Sequence, residues 1–150
     1  MQAIINKNAH FSYEILDAFE AGLVLLGHEV KSIKSGQMSL KGAYISLTHE
    51  PKPELFLVNA HVSPYKNAGP LPDYVPTRPR KLLLDKRTIN SLIGKLEQKG
   101  LTIIPLKVYT KRNLVKIEIG LARGKKLYEK KESIKKRDVD REIRRTLKEQ

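Results

Sequence analysis

The sequence predicts a mainly β protein: a small, partly open barrel with inserted helices, followed by a basic tail. Short stretches of alternating apolar residues indicate strands, and several short strands with an inserted helix are typical of such barrels. The 150 residues suffice for one ordinary domain and one appendage. Large apolar residues become sparse near Gly124, so we divide the chain into a barrel domain, 1–122, and a tail, 123–150.

Alternation along the sequence indicates the strands. Apolar residues recur at alternate positions between 13 and 26, as in a long half-buried strand that Gly27 ends. Residues 43–48 and 55–62 are two further strand candidates, joined by a polar turn that contains prolines. Residues 102–109 and 114–121 indicate a closing hairpin through a turn over 110–113, with one apolar face formed by Val115, Ile117, Ile119 and Leu121.

Two helices and one long loop complete the barrel domain. Val30 and Ile33 stand three residues apart among charged neighbours, which predicts a short helix over 29–35 that Gly36 closes. Asp85 is a candidate N-cap for a second helix that ends at Gly100 and carries Ile89, Leu92, Ile93 and Leu96 on one face. Five of the eight prolines lie between residues 63 and 81, so we expect a long loop there without a strand ladder or helix.

The charge of the chain predicts a polyanionic partner. Lys and Arg number 29 against 16 Asp and Glu, a net charge of +13, and the tail holds 12 basic and 6 acidic residues, hence +6. Neutralising phosphates releases condensed counterions, which gives strong and salt-sensitive binding. Nucleic acid is therefore the first expectation for the partner, and an anionic membrane surface is the second.

Other features exclude several classes of protein. No apolar run approaches the ~20 residues of a membrane span, and the first ten residues lack the apolar core of a secretory signal. We therefore expect a soluble, cytoplasmic protein without a membrane segment. Zero cysteines exclude disulfides, thiolate zinc sites and cysteine nucleophiles.

Nothing in the sequence favours catalysis, a metal or a cofactor. The four histidines lack the spacing of metal ligands, and the common motifs of nucleotide hydrolysis, serine hydrolysis and dinucleotide binding are absent. A nuclease with Glu29 as general base is the weakest hypothesis, because no partner carboxylate or metal ligand accompanies this residue in its motif.

Basic residues and tyrosines lie together in the sequence, as in RNA-binding surfaces. Tyr65, Tyr74, Tyr109 and Tyr128 lie beside basic clusters and are candidates to stack on unpaired bases, although each could equally be a core or rim residue. Glu29 is an acidic exception: it either pairs with Lys31 or Lys34, or accepts hydrogen bonds from a base or a ribose. The basic clusters are Lys31 and Lys34; Arg78, Arg80, Lys81, Lys86 and Arg87; Lys107, Lys111 and Arg112; and Arg123, Lys125 and Lys126.

The tail is able to form a helix but has little to pack against. Val139, Ile143 and Leu147 form a narrow apolar stripe, and Asp140 and Arg144 are spaced for an i, i+4 ion pair. Because helix nucleation is costly, we expect this segment to be disordered when free and helical on an RNA surface. The alternative is an inert, solubilising tail.

Several longer stretches carry a resemblance that spans nearly the whole chain in collinear order. They are YEILDAFEAGLVLLGHEVKS at 13–32, RKLLLDKR at 80–87, LIGKLEQKGLTIIPLKVY at 92–109 and GLARGKKLYEKKES at 120–133, together with residues 6–9 and the RD-x-x-REI-x-R pattern of the tail. These stretches closely resemble the SsrA-binding proteins, the small protein B family of bacterial trans-translation.

The resemblance implies an RNA-binding protein that is not an enzyme, with an oligonucleotide-binding-type (OB-like) β-barrel. Members bind the tRNA-like domain of transfer-messenger RNA and, with elongation factor Tu acting through that RNA, bring it to ribosomes stalled on messages without a stop codon. The nascent chain is then tagged for proteolysis and the ribosome is released. The resemblance also favours a monomer.

The resemblance implies two sets of binding residues as well. The set that would contact transfer-messenger RNA is Asn6, His28, Glu29, Lys31, Lys34, Arg80, Lys81, Lys86 and Arg87. The set that would contact the ribosome is Lys125, Lys126, Tyr128, Lys130, Lys131, Lys135, Lys136, Arg137, Arg141, Ile143, Arg144 and Arg145. These residues would face the small-subunit decoding centre and enter the empty messenger channel as a helix. The alternative function is that of a general RNA-binding or ribosomal protein without preference for this RNA.

Overall fold

The computed structural model describes residues 2–125, which fold into a mainly antiparallel β structure with a few helical segments. The elements in chain order are β1 (Ile4–Ile5), α1 (Ala9–Ser12), β2 (Tyr13–Leu23), α2 (Gly27–Lys34), β3 (Met38–Ser39), β4 (Tyr44–Thr48), β5 (Glu54–Val58), β6 (His61–Val62), a 3₁₀ turn (Lys66–Ala68), β7 (Arg80–Leu83), α3 (Lys86–Leu96), β8 (Leu101–Lys111) and β9 (Leu114–Gly124). Among residues 2–125, no helix is both long and apolar enough to cross a membrane.

Seven strands form one sheet in the order β1-β8-β9-β2-β7-β5-β4, and β3 pairs separately with β6. All of these pairings are antiparallel. The sheet curls so that β4 also contacts β8, although these two strands are not neighbours in the hydrogen-bonded order. The predicted mainly β fold, a partly open barrel with inserted helices, is confirmed.

The closing hairpin is the most regular part of the fold. β8 and β9 pair from Leu101 and Arg123 to Lys111 and Leu114, and Arg112 and Asn113 form the turn, both with positive φ. Positive φ at two central residues is the geometry that matches the twist of paired strands. The hairpin is confirmed with longer strands than predicted, and its expected apolar face, Val115, Ile117, Ile119 and Leu121, is buried.

Irregular positions allow the long strands to bend. The register of β2 against β9 shifts between Ile15 and Asp17, and that of β8 against β9 shifts between Pro105 and Lys107. Such irregularities bend a strand and increase its local twist, which a closed or nearly closed sheet requires. Gly120 lies near both shifts, and a Cβ atom there would come 3.0 Å from Leu106 and 3.3 Å from Ile15.

The two larger helices cover the barrel core. Ile33 of α2 and Leu92 of α3 are almost fully buried in the same cluster as Leu57 and Ile117. Asp85 caps α3, since its carboxylate accepts a hydrogen bond from the Thr88 amide at 3.2 Å, as predicted. Both predicted helices are confirmed, α2 beginning two residues earlier and α3 ending four residues before Gly100.

Three further predicted boundaries differ from the structure. The candidate strand 55–62 is divided, because Asn59 has a φ of 63° and separates β5, which pairs with β4 and β7, from β6, which pairs with β3. The long loop ends at Pro79, since Arg80 and Lys81 pair with β5. The expectation that no strand ladder runs through 63–81 is therefore wrong for these two residues. Both follow the last proline of the loop. β2 ends at Leu23 rather than at residue 26.

β9 continues through Gly124, where it pairs with Tyr13. The proposed division into 1–122 and 123–150 stays a prediction, as does the helical tail, because residues 126–150 lie outside the described part of the chain.

Replacing Gly120 by Val should lower the free energy of unfolding by about 1–3 kcal/mol, because the added methyl groups overfill the contact with Leu106 and Ile15. Urea unfolding measures this change. Gly94→Ala is the matched control: a Cβ atom at this exposed position in α3 meets nothing within 4 Å. It should stabilise the protein by about 0.5–1 kcal/mol. Equal effects of the two substitutions would contradict the packing argument.

Candidate nucleic-acid interface

A buried carboxylate organises the region around α2. Glu29 lies in the first turn of this helix and none of its side chain is exposed. Its Oε1 accepts a hydrogen bond from the Leu26 amide at 2.9 Å, which caps the helix. Because a buried charge without partners is very costly, the surrounding groups must compensate it.

Arg80 provides the first compensation. This side chain is fully buried at the start of β7, and its Nε donates to Oε2 of Glu29 at 3.0 Å while Nη2 donates to the same oxygen. The remaining donors of Arg80 reach the carbonyl oxygens of Ala60, at 2.6 Å, and Pro76, at 2.9 Å. The guanidinium therefore joins α2 to β7 and to the end of the Pro-rich loop.

Arg78 and Tyr74 complete the arrangement, which we call the Glu29 cluster (Glu29, Tyr74, Arg78 and Arg80). Arg78 Nε donates to Oε2 of Glu29 at 3.2 Å, and its Nη2 donates to Oε1. The Tyr74 hydroxyl lies 2.9 Å from Oε2 of Glu29 and 3.0 Å from the Val62 carbonyl oxygen, and either oxygen can accept its hydrogen bond. Two guanidinium groups around one carboxylate leave the cluster with a net charge of +1.

Electrostatics keep Glu29 ionised. Burial alone would raise the pKa of this carboxyl, but hydrogen bonds from Arg78, the Leu26 amide, Arg80 and Tyr74 outweigh burial and lower the pKa to about 2. Burial and the hydrogen bond to Glu29 raise the pKa of Tyr74. The hydroxyl therefore stays protonated and the carboxylate stays charged at neutral pH.

These contacts show how Glu29 and Arg80 are engaged inside the protein, whereas their predicted contacts with RNA stay predictions. Glu29 pairs neither with Lys31 nor with Lys34, and both predicted RNA contacts, Glu29 and Arg80, lie beneath the surface with their polar atoms already engaged. In this structure they join α2 to β7 and to the Pro-rich loop. The partners of Glu29 follow it by 49 and 51 residues, so residue spacing could not reveal them.

The surface above the cluster is basic and aromatic; we call it the α2 face (His28, Lys31, Lys34 and Tyr65). Lys31 and Lys34 are exposed, and neither forms an ion pair with an acidic side chain of residues 2–125. Lys31 Nζ lies 5.8 Å from the centre of the Tyr65 ring. His28 is half-buried and meets Tyr74 edge-to-face, with ring centres 4.6 Å apart. Lys31 and Lys34 are therefore accessible and His28 is partly so, and the predicted contacts of these three residues with RNA stay predictions.

A second basic group lies beside β7 and α3. Lys81 follows Arg80 directly in the chain, whereas Lys86 and Arg87 begin α3 and are exposed. Lys81 Nζ lies 3.3 Å from Glu54, so part of its charge is compensated inside the protein. The structure thus leaves Lys86 and Arg87 as the more available cations of this group.

Asn6 holds the N-terminal strand in place. Its Nδ2 donates to the Pro105 carbonyl oxygen at 2.8 Å, and its backbone amide donates to the Leu106 carbonyl oxygen at 2.9 Å. Oδ1 accepts a hydrogen bond from the Asn8 amide at 3.3 Å. Asn6 therefore has a structural role on β8, and its predicted contact with RNA stays a prediction.

Tyr109 is also engaged inside the protein. Its hydroxyl donates to Glu20, which lies 3.4 Å from Lys111 Nζ, and Lys107 Nζ lies 5.5 Å from the centre of its ring. Burial and the hydrogen bond to Glu20 raise the pKa of Tyr109. These contacts occupy the hydroxyl and a ring face of one of the tyrosines considered for base stacking.

Of the residues that the resemblance assigns to the ribosome, Lys125 lies within the described part of the chain. Its amide donates to the Ser12 carbonyl oxygen at 2.9 Å, and its Nζ donates to the His10 carbonyl oxygen at 2.6 Å. Lys125 therefore attaches the start of the tail to α1. The others, which lie outside the described residues, are Lys126, Tyr128, Lys130, Lys131, Lys135, Lys136, Arg137, Arg141, Ile143, Arg144 and Arg145.

Nothing in the described region points to a metal centre. Within residues 2–125, no three or more His, Asp or Glu side chains lie close enough together to hold an ion.

Glu29→Gln should lower the free energy of unfolding by about 3–5 kcal/mol, because it leaves the buried Arg80 without a counter-charge. The Gln side chain has nearly the same volume as that of Glu, so the loss of stability reports the removal of the charge. Chemical denaturation measures it. Glu20→Gln, which alters an exposed ion pair, is the control and should change stability little. A similar small effect at both positions would contradict the role of the Glu29 cluster.

Acid should destabilise the protein through Glu29. Its folded pKa of about 2 lies below the ordinary value of 4.5, so the unfolded chain binds more protons between these values. The stabilisation is complete above about pH 4.5, amounts to about 3 kcal/mol, and is lost as the pH falls towards 2. Unfolding at several pH values should show the difference between wild type and Glu29→Gln shrinking across this window. A constant difference would refute the assignment.

Comparison with known proteins agrees with this architecture. A protein-family model described as "SmpB protein" matches residues 3–149 of the chain. The SsrA-binding protein of Acaryochloris marina is 53% identical over 143 residues, covering 95% of this chain and 91% of that protein. The SsrA-binding protein of Shouchella clausii is 49% identical over 144 residues, covering 96% and 90% of the two chains.

A solved structure shows the same fold. A chain from "tmRNA-SmpB: a journey to the center of the bacterial ribosome" superposes with a TM-score of 0.68 at 41% identity, covering 89% of this chain and 95% of that one. Both the sequence match over nearly the whole chain and the shared OB-like barrel lead to one conclusion: this chain belongs to the SmpB protein family.

Proposed function

We propose that this chain binds the tRNA-like domain of transfer-messenger RNA and, with elongation factor Tu, delivers it to stalled ribosomes for trans-translation. The observation that carries this proposal is the α2 face, where Lys31 and Lys34 have no acidic partner among residues 2–125 and lie above a carboxylate already compensated by two arginines. Such a rigidly supported cationic surface suits folded RNA, which proteins recognise through backbone, hydroxyl and splayed-base contacts. Membership in a family of SsrA-binding proteins supports the same partner.

The ribosome is the second proposed partner. A solved relative is described as travelling with tmRNA to the centre of the bacterial ribosome, which supports this partner for the present chain. The positively charged tail would occupy the messenger channel when it is empty, because messenger RNA in the channel would exclude it. The proposed site of action is the cytoplasm, where ribosomes work.

The protein acts by binding alone in this proposal. The relatives to which the chain is similar are named for binding SsrA, which supports a binding function. Incubation with labelled RNA and a divalent cation should leave the RNA intact, whereas specific cleavage would revive the nuclease hypothesis.

The experiment that tests the RNA partner compares two RNAs across salt concentrations. The full chain is titrated with the tRNA-like domain of transfer-messenger RNA and with an ordinary elongator tRNA. A preference for the tRNA-like domain that persists at high salt supports the proposal, since electrostatic binding alone is lost with salt. Equal affinities that fall together would support a general RNA-binding protein instead.

Replacing Lys31 and Lys34 together by Ala should weaken binding of the tRNA-like domain at low salt. If each lysine neutralises one phosphate, the slope of log affinity against log salt should become less steep by about 1.4–1.8. Lys99→Ala, which removes an exposed charge after α3, is the control and should leave the slope unchanged. Identical slopes for the double variant and the wild type would exclude these lysines from the interface.

A chain that ends after Lys125 should keep its affinity for the tRNA-like domain but lose activity on ribosomes with truncated messages. Ending there preserves the contacts of Lys125 with α1. In vitro tagging of the nascent chain measures activity, and RNA binding is the control. Normal tagging by the shortened chain would refute the proposed role of the tail.

A further inference from the structure

A cleft of about 380 Å³ opens beside the Glu29 cluster. Its walls are formed by Leu26 and His28 at the start of α2, by the loop stretch 70–75, and by Arg78. Cavities that bind small ligands usually measure about 300–1,000 Å³, so the cleft can hold one planar ring with its substituents. The function of the Glu29 cluster does not require this cleft.

The walls are apolar and yet open to water. Leu26 and Val75 are 45% and 56% exposed, and Pro70, Leu71 and Pro72 add further carbon surface. Apolar side chains concentrated at one exposed cleft mark a binding surface more often than chance exposure. The prolines restrict the backbone, and the Glu29 cluster holds Tyr74, so the walls are formed before a ligand arrives.

One polar atom in the wall lacks a partner. The Nδ1 atom of His28 is buried and accepts or donates no hydrogen bond within residues 2–125. Buried polar groups are normally paired, and an exception at a cleft is where a ligand would supply the partner.

The charges beside the cleft select the ligand. Lys31 lies one helical turn after His28 on α2. Two charged residues line the cleft itself: Arg78, which is partly exposed and ion-paired with Glu29, and Asp73, whose carboxylate is exposed. An apolar peptide side chain would fit the walls but would gain nothing from these cations. An unpaired base fits both features, because bases stack on imidazole, phenol and guanidinium planes while their phosphates attract lysines.

We propose that the cleft binds one unstacked nucleobase of the RNA partner, with Lys31 and Lys34 neutralising the phosphates beside it. This inference rests on the proposed function, because it adds a base pocket to the same RNA interface. The α2 face supplies charge and the cleft supplies selectivity for a nucleotide that the RNA can present unpaired.

The test combines protein variants with altered RNAs. His28→Ala and Val75→Ser change two separate walls of the cleft, and Leu114→Ser is the control, since Leu114 is an apolar side chain, 60% exposed at the hairpin turn, that does not line the cleft. Each protein is titrated with the tRNA-like domain and with derivatives that each lack the base of one unpaired nucleotide. Circular dichroism and thermal melting establish that every variant is folded.

We expect one abasic position to weaken wild-type binding by about 5- to 100-fold, the range of a stacked base. The same abasic change should have little further effect on His28→Ala or Val75→Ser, and its full effect on Leu114→Ser, because only the first two have lost the pocket. The salt slope should be the same for all four proteins, since no phosphate contact is removed.

Two results separate the possible failures. If wild type prefers the tRNA-like domain but every abasic change acts equally on wild type and on the cleft variants, the base pocket is wrong and the proposed function stands. If wild type shows no preference for the tRNA-like domain over elongator tRNA, the proposed function itself fails.

Discussion

The ion pair between Glu29 and Arg80 is the interaction on which the rest of the interface depends. Both side chains are fully buried, and a charge in that position persists only when it is paired and hydrogen-bonded. The contacts of Arg80 with Ala60 and Pro76 extend the pair to two further backbone segments. One carboxylate thereby fixes α2, the start of β7 and the end of the Pro-rich loop relative to each other.

This arrangement separates positioning from recognition. Glu29 and Arg80 are inside, while the side chains left for a ligand, Lys31 and Lys34, lie on the outer side of α2. A long loop would ordinarily be mobile, but Tyr74 and Arg78 attach this one to the buried carboxylate. The loop can therefore form the wall of a preformed cleft and contribute to affinity without a large cost of ordering.

The barrel supplies the rigid support for this surface. Its long strands bend at the register shifts near Leu16 and Leu106, and Gly120 leaves the space that this bend requires. The apolar face of the hairpin and the inner residues of α2 and α3 fill one common core. Lys125 follows β9 and is held beside α1 by hydrogen bonds to the carbonyl oxygens of His10 and Ser12.

The sequence alone determined the elements whose signals are local: the hairpin with buried Val115 and Ile117, the cap at Asp85, and the excess of basic residues. Residue periodicity and capping act over a few positions, so they can be read from neighbours in the chain. Only the tertiary structure decided the role of Glu29, because its partners lie about 50 residues away and become neighbours when β7 joins the sheet. Burial likewise distinguishes Arg80, which is inside, from Lys86, which is exposed. Both residues are basic and belong to the same stretch, 80–87, so the sequence alone does not reveal this difference.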